Sequence, residues 1–144
     1  MTEPIVIAAA RRTPIGAFQG VFASVSATQL GAVAARAALA DAGLAPDAID
    51  EVIFGCVLPA GLGQAPARQA AVGAGIALGV PATTINKMCG SGMKAVMMAA
   101  DQIRAGSARV MLAGGLESMT NAPYLMLKAR AGYRMGHAEI NDPI

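Results

Sequence analysis

The stretch that most narrows the fold is GMKAVMMAA, residues 92–100, in which Lys94 is the only polar side chain. A helix is predicted over 92–105, closed by Gly106. Met93, Val96, Met97, Met98 and Ile103 fall on different sides of that cylinder. A helix that is apolar all round is buried all round. An ordinary three-layer domain leaves one face of each helix in water. This helix is therefore expected between two sheets or against a second subunit, and something must cover its far side.

The rest of the chain alternates short apolar runs with capped helical patterns. Residues 5–9 read as a buried strand, broken by Thr13-Pro14-Ile15-Gly16. Ser26-x-x-Gln29 is a capping box that opens a helix to about Asp41, with Gly43 as its stop. Leu30, Val33, Ala34, Ala37 and Ala38 give that helix an apolar stripe. A second strand is predicted over 52–57. Pro66 suits a first helical position, and a helix is expected to about Leu78 with Gly79 as stop. Strands follow over 83–88 and 109–113. The order βαβαβαβ at this spacing argues for an α/β fold with a parallel sheet. After Leu116 the periodicity fades, and residues 120–144 read as a surface loop.

Composition narrows the function. Charged residues are 14% of the 144, aromatic residues 3%, and the net charge is +2. With no basic block and few aromatic platforms, nucleic acid is a poor partner. No run of 18 apolar residues suggests a membrane span. The first residues lack the basic stretch of a secretory signal. Two cysteines make no disulfide framework. The expected setting is the reducing cytoplasm.

The residues able to do chemistry are few. Cys89 lies at a strand-to-helix turn, in Asn86-Lys87-Met88-Cys89-Gly90-Ser91-Gly92. A thiol there meets the unpaired N–H groups and dipole of a helix start, which favour thiolate. Glycines at 90 and 92 let a substrate approach the backbone, and the N–H groups can receive an oxyanion. Spacing alone leaves open whether Cys89 is such a nucleophile or a small buried hydrophobe. Ser91-x-x-Lys94 lacks the companion motifs of a serine acylase. Cys56, inside a strand, reads as a structural thiol, and with a single His in the chain the two cysteines make no metal set. His137 falls in the tail, as a solvated side chain. Glu117 follows the last strand, where open α/β sheets place ligands, and a solvated or structural carboxylate is its simpler reading.

Four ordered segments resemble those of thiolases. They are Arg12-Thr13-Pro14-x-Gly16, Gly63-Gln64-x-Pro66-Ala67-Arg68-Gln69, Ile85-Asn86-x-x-Cys89-Gly90-Ser91-Gly92-Met93, and Gly114-Gly115-x-Glu117-Ser118-Met119. The resemblance covers essentially the whole chain. It implies the thiolase fold, with this chain as its N-terminal βαβαβαβ half and the catalytic helix buried between layers. Residues 1–119 would be that half-domain, short of its last strand, and 120–144 the start of a CoA-binding loop domain.

The resemblance makes Cys89 the acyl-thioester nucleophile, with its backbone N–H in an oxyanion hole. The implied activity is acyl transfer between CoA thioesters. It runs as Claisen condensation of two acetyl-CoA to acetoacetyl-CoA, or as thiolysis of a 3-ketoacyl-CoA, in degradation or in biosynthesis. Coenzyme A thioesters are substrates, and no permanently bound cofactor or metal is implied. The second catalytic cysteine and the histidine of the family match neither Cys56 nor His137. They are expected in a C-terminal half, so the 144 residues alone should be inactive or limited to a half-reaction. A homodimer or homotetramer is implied. The alternatives are a ketoacyl synthase-like condensing enzyme, or a non-catalytic piece that only assembles with its other half.

Overall fold

The computed structural model describes residues 4–144. Helix α1, Ala27–Ala42, begins as the capping box dictates: the Ser26 side chain accepts from the Gln29 N–H at 3.2 Å, and the Gln29 side chain accepts from the Ser26 N–H at 2.9 Å. It ends on Gly43, left-handed at φ 65°. Strand β1, Glu51–Gly55, leads to α2, Pro66–Gly73, with proline in its first turn. Strand β2, Ala82–Ile85, then helix α3, Ser91–Ala105, and strand β3, Met111–Gly115, complete the order. The three strands are parallel, in the order β2-β1-β3.

Central β1 is buried on both faces. Val52, Phe54 and Cys56 join the core made with α1 and α2. Ile53, equally buried, belongs to the opposite face of the pleat, where α3 packs on β1 and β3. Strand order reverses direction at β1, so the carboxyl ends of β1 and β3 open on the place where sheets of this kind bind ligands.

Several boundaries differ from those expected, each for a visible reason. The predicted strand over 5–9 does not form, and Val6 and Ile7 are exposed. Strand β1 already has a parallel neighbour on each side, and residues 5–9 join neither outer edge. The α1 stripe is also different. Its buried residues are Ala27, Gly31, Ala32, Ala35 and Leu39, whereas Val33 is exposed. The small side chains face inward because α1 packs closely on α2: a Cβ at Gly31 would sit 3.2 Å from the Ala70 Cβ, and one at Gly73 would sit 3.0 Å from the Ala32 Cβ.

Helix α2 stops at Gly73, short of Leu78, as Ala74 turns the chain into Gly75 at φ 94°. The Arg68 guanidinium then holds the following loop through the carbonyls of Leu78 and Val80. Strand β3 starts two residues late because the N–H groups of Arg109 and Val110 donate to the Asp50 carboxylate, at 2.7 and 2.9 Å. Helix α3 buries one face, through Ser91, Ala95 and Ala99. Its other face is apolar and open: Met93 is 73% exposed and Met97 53%. Within these residues nothing provides the second layer that its composition requires. The tail is a surface segment with 3-10 turns at Met119–Asn121 and Ala129–Ala131, and one bridge between Leu125 and Asn141.

Candidate active site

The site is built where three strand ends meet the head of α3. Strand β2 stops at Ile85 instead of running to Met88, because Asn86 makes a turn of its own. The Met88 N–H donates to Asn86 Oδ1 at 2.9 Å, the pattern by which an Asn side chain closes a turn two residues on. Met88 is thereby held left-handed, at φ 49°. That conformation costs a side-chain-bearing residue about 1–2 kcal/mol. The turn is closed further by Gly90 N–H to Lys87 O at 3.1 Å and Ser91 N–H to Met88 O at 3.0 Å. The Ser91 hydroxyl accepts from Lys87 N–H at 2.8 Å and donates to Met88 O at 2.6 Å.

Cys89 sits at the apex of this turn, a free and exposed thiol. It is therefore not a buried packing residue. Two N–H groups that a helix start would offer a ligand, those of Gly90 and Ser91, are spent inside the turn. Ser91 is 5% exposed and its hydroxyl is fully engaged, which removes it as a nucleophile.

Close approach of α3 to the sheet depends on glycine. A Cβ on Gly55 would lie 2.5 Å from the Ser91 Cβ and 2.9 Å from the Gly92 nitrogen. One on Gly115 would lie 3.3 Å from the Gly55 oxygen and 3.5 Å from the Gly92 Cα. The first turn of α3 thus rests on the backbone of β1 and β3, with no side chain of the sheet between.

Beside it, Glu117 accepts the N–H of Val57 at 2.7 Å and of Leu58 at 3.1 Å. This is why β1 ends at Gly55 instead of reaching Val57. The Cys56 thiol donates to the same carboxylate at 3.7 Å. Burial first, then the Glu117 charge, push the Cys56 thiol up to about 11. It is a protonated, buried thiol just past the end of β1, where the sequence pattern had it inside the strand. Asn86 Nδ2 donates to Val57 O at 3.3 Å, so the Cys89 turn and the Glu117 cluster share a loop.

His137 lies exposed in the tail. Cys89 does not line the cleft formed by residues 10–15, nor a smaller one beside it. The smaller, about 290 Å³, runs between residues 13–22 and 117–120. Among the described residues no cluster of His, Cys, Asp and Glu could hold a metal ion. Among the described residues no helix is long and apolar enough to cross a membrane.

The sequence of this site has known counterparts. Residues 5–144 match the family model described as "Thiolase, N-terminal domain". The chain belongs to the thiolase family. Acetyl-CoA acetyltransferase of Pseudomonas aeruginosa is 54% identical over 140 residues, 97% of this chain and 36% of that relative. Mitochondrial acetyl-CoA acetyltransferase B of Xenopus laevis is 52% identical over 97% of this chain and 33% of its own length. Acetyl-CoA acetyltransferase of Saccharomyces cerevisiae is 49% identical over 100% of this chain and 37% of its own. This thiolase chain spans about a third of the length of the curated relatives it matches.

One of the four family segments is architectural. In Gly63-Gln64-x-Pro66-Ala67-Arg68-Gln69, Gln69 Nε2 donates to Leu62 O at 2.6 Å and to Gln64 O at 2.8 Å, while Ala67 N–H donates to Thr84 Oγ1 at 3.0 Å. Asn86 was the residue that sequence reasoning passed over, although an Asn two residues before a turn is a local signal.

Proposed function

We propose that this thiolase transfers acyl groups between coenzyme A thioesters, with Cys89 as the acyl carrier. The observation that carries the reading is the presentation of Cys89. It is the exposed free thiol, on a turn closed by five hydrogen bonds of its own neighbours, at the carboxyl end of the sheet. The names of the relatives, acetyl-CoA acetyltransferase, support the substrate class and favour a thiolase over a ketoacyl synthase-like enzyme.

In the proposed reaction the Cys89 thiolate attacks the thioester carbonyl of acetyl-CoA. The C–S bond to CoA breaks, and the CoA thiolate leaves and takes up a proton. Loss of a proton from C2 of a second acetyl-CoA gives a carbanion that attacks the acetyl-enzyme. Acetoacetyl-CoA forms, and the Cys89 thiolate is restored. Run backwards, the steps cleave a 3-ketoacyl-CoA. One thioester replaces another in the first half, so that half is close to balanced and reversible. The Cys89 backbone N–H is placed in the oxyanion hole. The base at C2 is assigned to a second family cysteine. Cys56, protonated to about 11 and bound to Glu117, is unsuited to that task.

We extend the reading to the whole protein as a homodimer or homotetramer with no permanently bound cofactor. The open apolar face of α3 and the exposed Val6 and Ile7 support cover by further polypeptide. Residues 120–144 are assigned to the start of the CoA-binding loop domain. Two free thiols fit a reducing compartment such as the cytoplasm.

The test is intact mass and peptide mapping of the full polypeptide after incubation with acetoacetyl-CoA. An acetyl adduct on Cys89, discharged by added CoA and lost in Cys89→Ser, is expected. Turnover that survives Cys89→Ser would refute the assignment.

A further inference from the structure

The nucleophile turn is linked to Glu117 through a single peptide unit. Leu58 N–H donates to Glu117 Oε1 at 3.1 Å, and the carbonyl at the other end of that peptide, Val57 O, accepts from Asn86 Nδ2 at 3.3 Å. The opposite end of the Asn86 amide, Oδ1, holds the Met88 N–H at 2.9 Å. The chain of contacts therefore runs carboxylate, peptide, amide, and then the residue before Cys89. Hydrogen bonds in series polarise one another, so an anionic carboxylate on the peptide N–H strengthens its carbonyl as an acceptor. The carboxylate is doubly anchored, since it also takes the Val57 N–H at 2.7 Å. At the far end the relay supports a strained unit: Met88 carries a side chain at φ 49°.

We propose that Asn86 and Glu117 are positioning residues for the Cys89 thiol, acting in series through the Val57–Leu58 peptide to hold Met88 in its left-handed turn. This rests on Cys89 being the acyl carrier. Neither side chain touches that thiol in the structure's hydrogen bonds. Their effect is on where the turn aims it.

A series arrangement has a signature that independent structural supports lack. Cutting the relay at Asn86 should make Glu117 irrelevant to Cys89. In Glu117→Gln the amide presents an N–H toward one of two N–H donors, so one anchor is lost. Asn86→Ala removes both links of the amide. Glycine at position 88 adopts the left-handed turn without support, so it should repair the loss of Asn86.

The experiment uses the full polypeptide and two readouts. One is the single-turnover rate of Cys89 acetylation by acetyl-CoA. The other is the rate of Cys89 alkylation by iodoacetamide across pH, assigned by peptide mapping, which needs no acyl-CoA. Asn86→Ala should slow acetylation at least tenfold and change alkylation at least threefold, at temperatures where the variant is folded by circular dichroism. Glu117→Gln should change both rates at least threefold in the parent and less than 1.5-fold in Asn86→Ala. Asn86→Ala/Met88→Gly should recover at least threefold of the lost acetylation.

Parent-like rates in Asn86→Ala, or equal effects of Glu117→Gln in both backgrounds, would overturn the proposal while leaving acyl transfer intact. A parent that is never acetylated, yet shows the same coupling in alkylation, would refute acyl transfer and uphold the relay.

Discussion

Gly55→Ala tests the claim that the nucleophile is placed by backbone contact between α3 and the sheet. Nothing about the strand itself forbids alanine, which ordinarily improves an element interior by about 0.5–1 kcal/mol over glycine. The obstacle is what the methyl meets. It would lie 2.5 Å from the Ser91 Cβ, 2.7 Å from the Ser91 carbonyl carbon and 2.9 Å from the Gly92 nitrogen, against an ordinary contact of 3.4 Å or more. Two of those atoms are backbone, so no side-chain rotation relieves the clash. The head of α3 must move by about 0.9 Å. Overpacking of this kind costs about 1–3 kcal/mol. With rigid neighbours the upper end applies, and after the intrinsic gain about 2 kcal/mol of net destabilisation remains.

The functional cost should be larger in proportion. A displacement near 1 Å in a positioned group can lose about 100-fold in rate, and the displaced turn is the one that bears Cys89. The assay is single-turnover acetylation of Cys89 together with a thermal melt, run on a graded series. At Gly115 the new methyl would meet the Gly55 oxygen at 3.3 Å, a misfit of a tenth of an ångström, so Gly115→Ala should lose much less. At Gly114 it would meet the Phe54 ring at 3.6 Å, ordinary contact, so Gly114→Ala should be tolerated best. The expected order of loss is therefore 55, then 115, then 114. A Gly55→Ala protein that acetylates like the parent, or an inverted order, would refute contact placement.

Two further perturbations follow from the same structure. Ser26→Ala removes the α1 capping box. It should lower stability by about 1 kcal/mol in denaturant unfolding without changing Cys89 chemistry, and an unchanged midpoint would show that the cap contributes nothing. Cys56, whose folded thiol is raised from 9.0 to about 11, binds its proton more tightly folded than unfolded. Its contribution is whole below pH 9 and is lost as pH rises toward about 11. Cys56→Ser cannot ionise there, so its unfolding free energy should fall less steeply over that window, and identical slopes would contradict the assigned proton.

Local chemistry made much of this fold legible. Ser26 with Gln29, Gly43, Pro66 and Gly106 each act through a neighbour within a few residues, and each lies at the helix end where its type places it. Features that depend on distant partners were not legible. The apolar spacing of Leu30, Val33, Ala34, Ala37 and Ala38 does not pick out the buried face of α1, because alanines lie all round this helix. Close helix packing instead put Gly31, Ala32 and Ala35 inside and left Val33 in water. The strand expected over 5–9 has the right composition, but pairing is a relation between segments, and β2 and β3 already flank β1. Cys89 was identifiable as a candidate from its turn. The link from Asn86 to Glu117 was not, since it joins residues 31 apart through a loop that neither borders in sequence.

The use of glycine and alanine sharpens the same point. Together they make about a third of the chain, and the structure gives them different work. Alanine fills the faces where helix meets helix or sheet at the distance of one methyl, as at Ala67, Ala70, Ala71 and Ala95, all exposed by 1% or less. Glycine stands at 55 and 115, where that methyl is already too much. A helix resting on a sheet at ordinary distance would carry its first turn, and Cys89 with it, farther from the carboxyl ends of β1 and β3. The Ser91 hydroxyl can tie Lys87 to Met88 while buried against β1 only because Gly55 leaves it room. Placement of the thiol is thus set by an absence of side chains in the sheet as much as by the side chains of the turn.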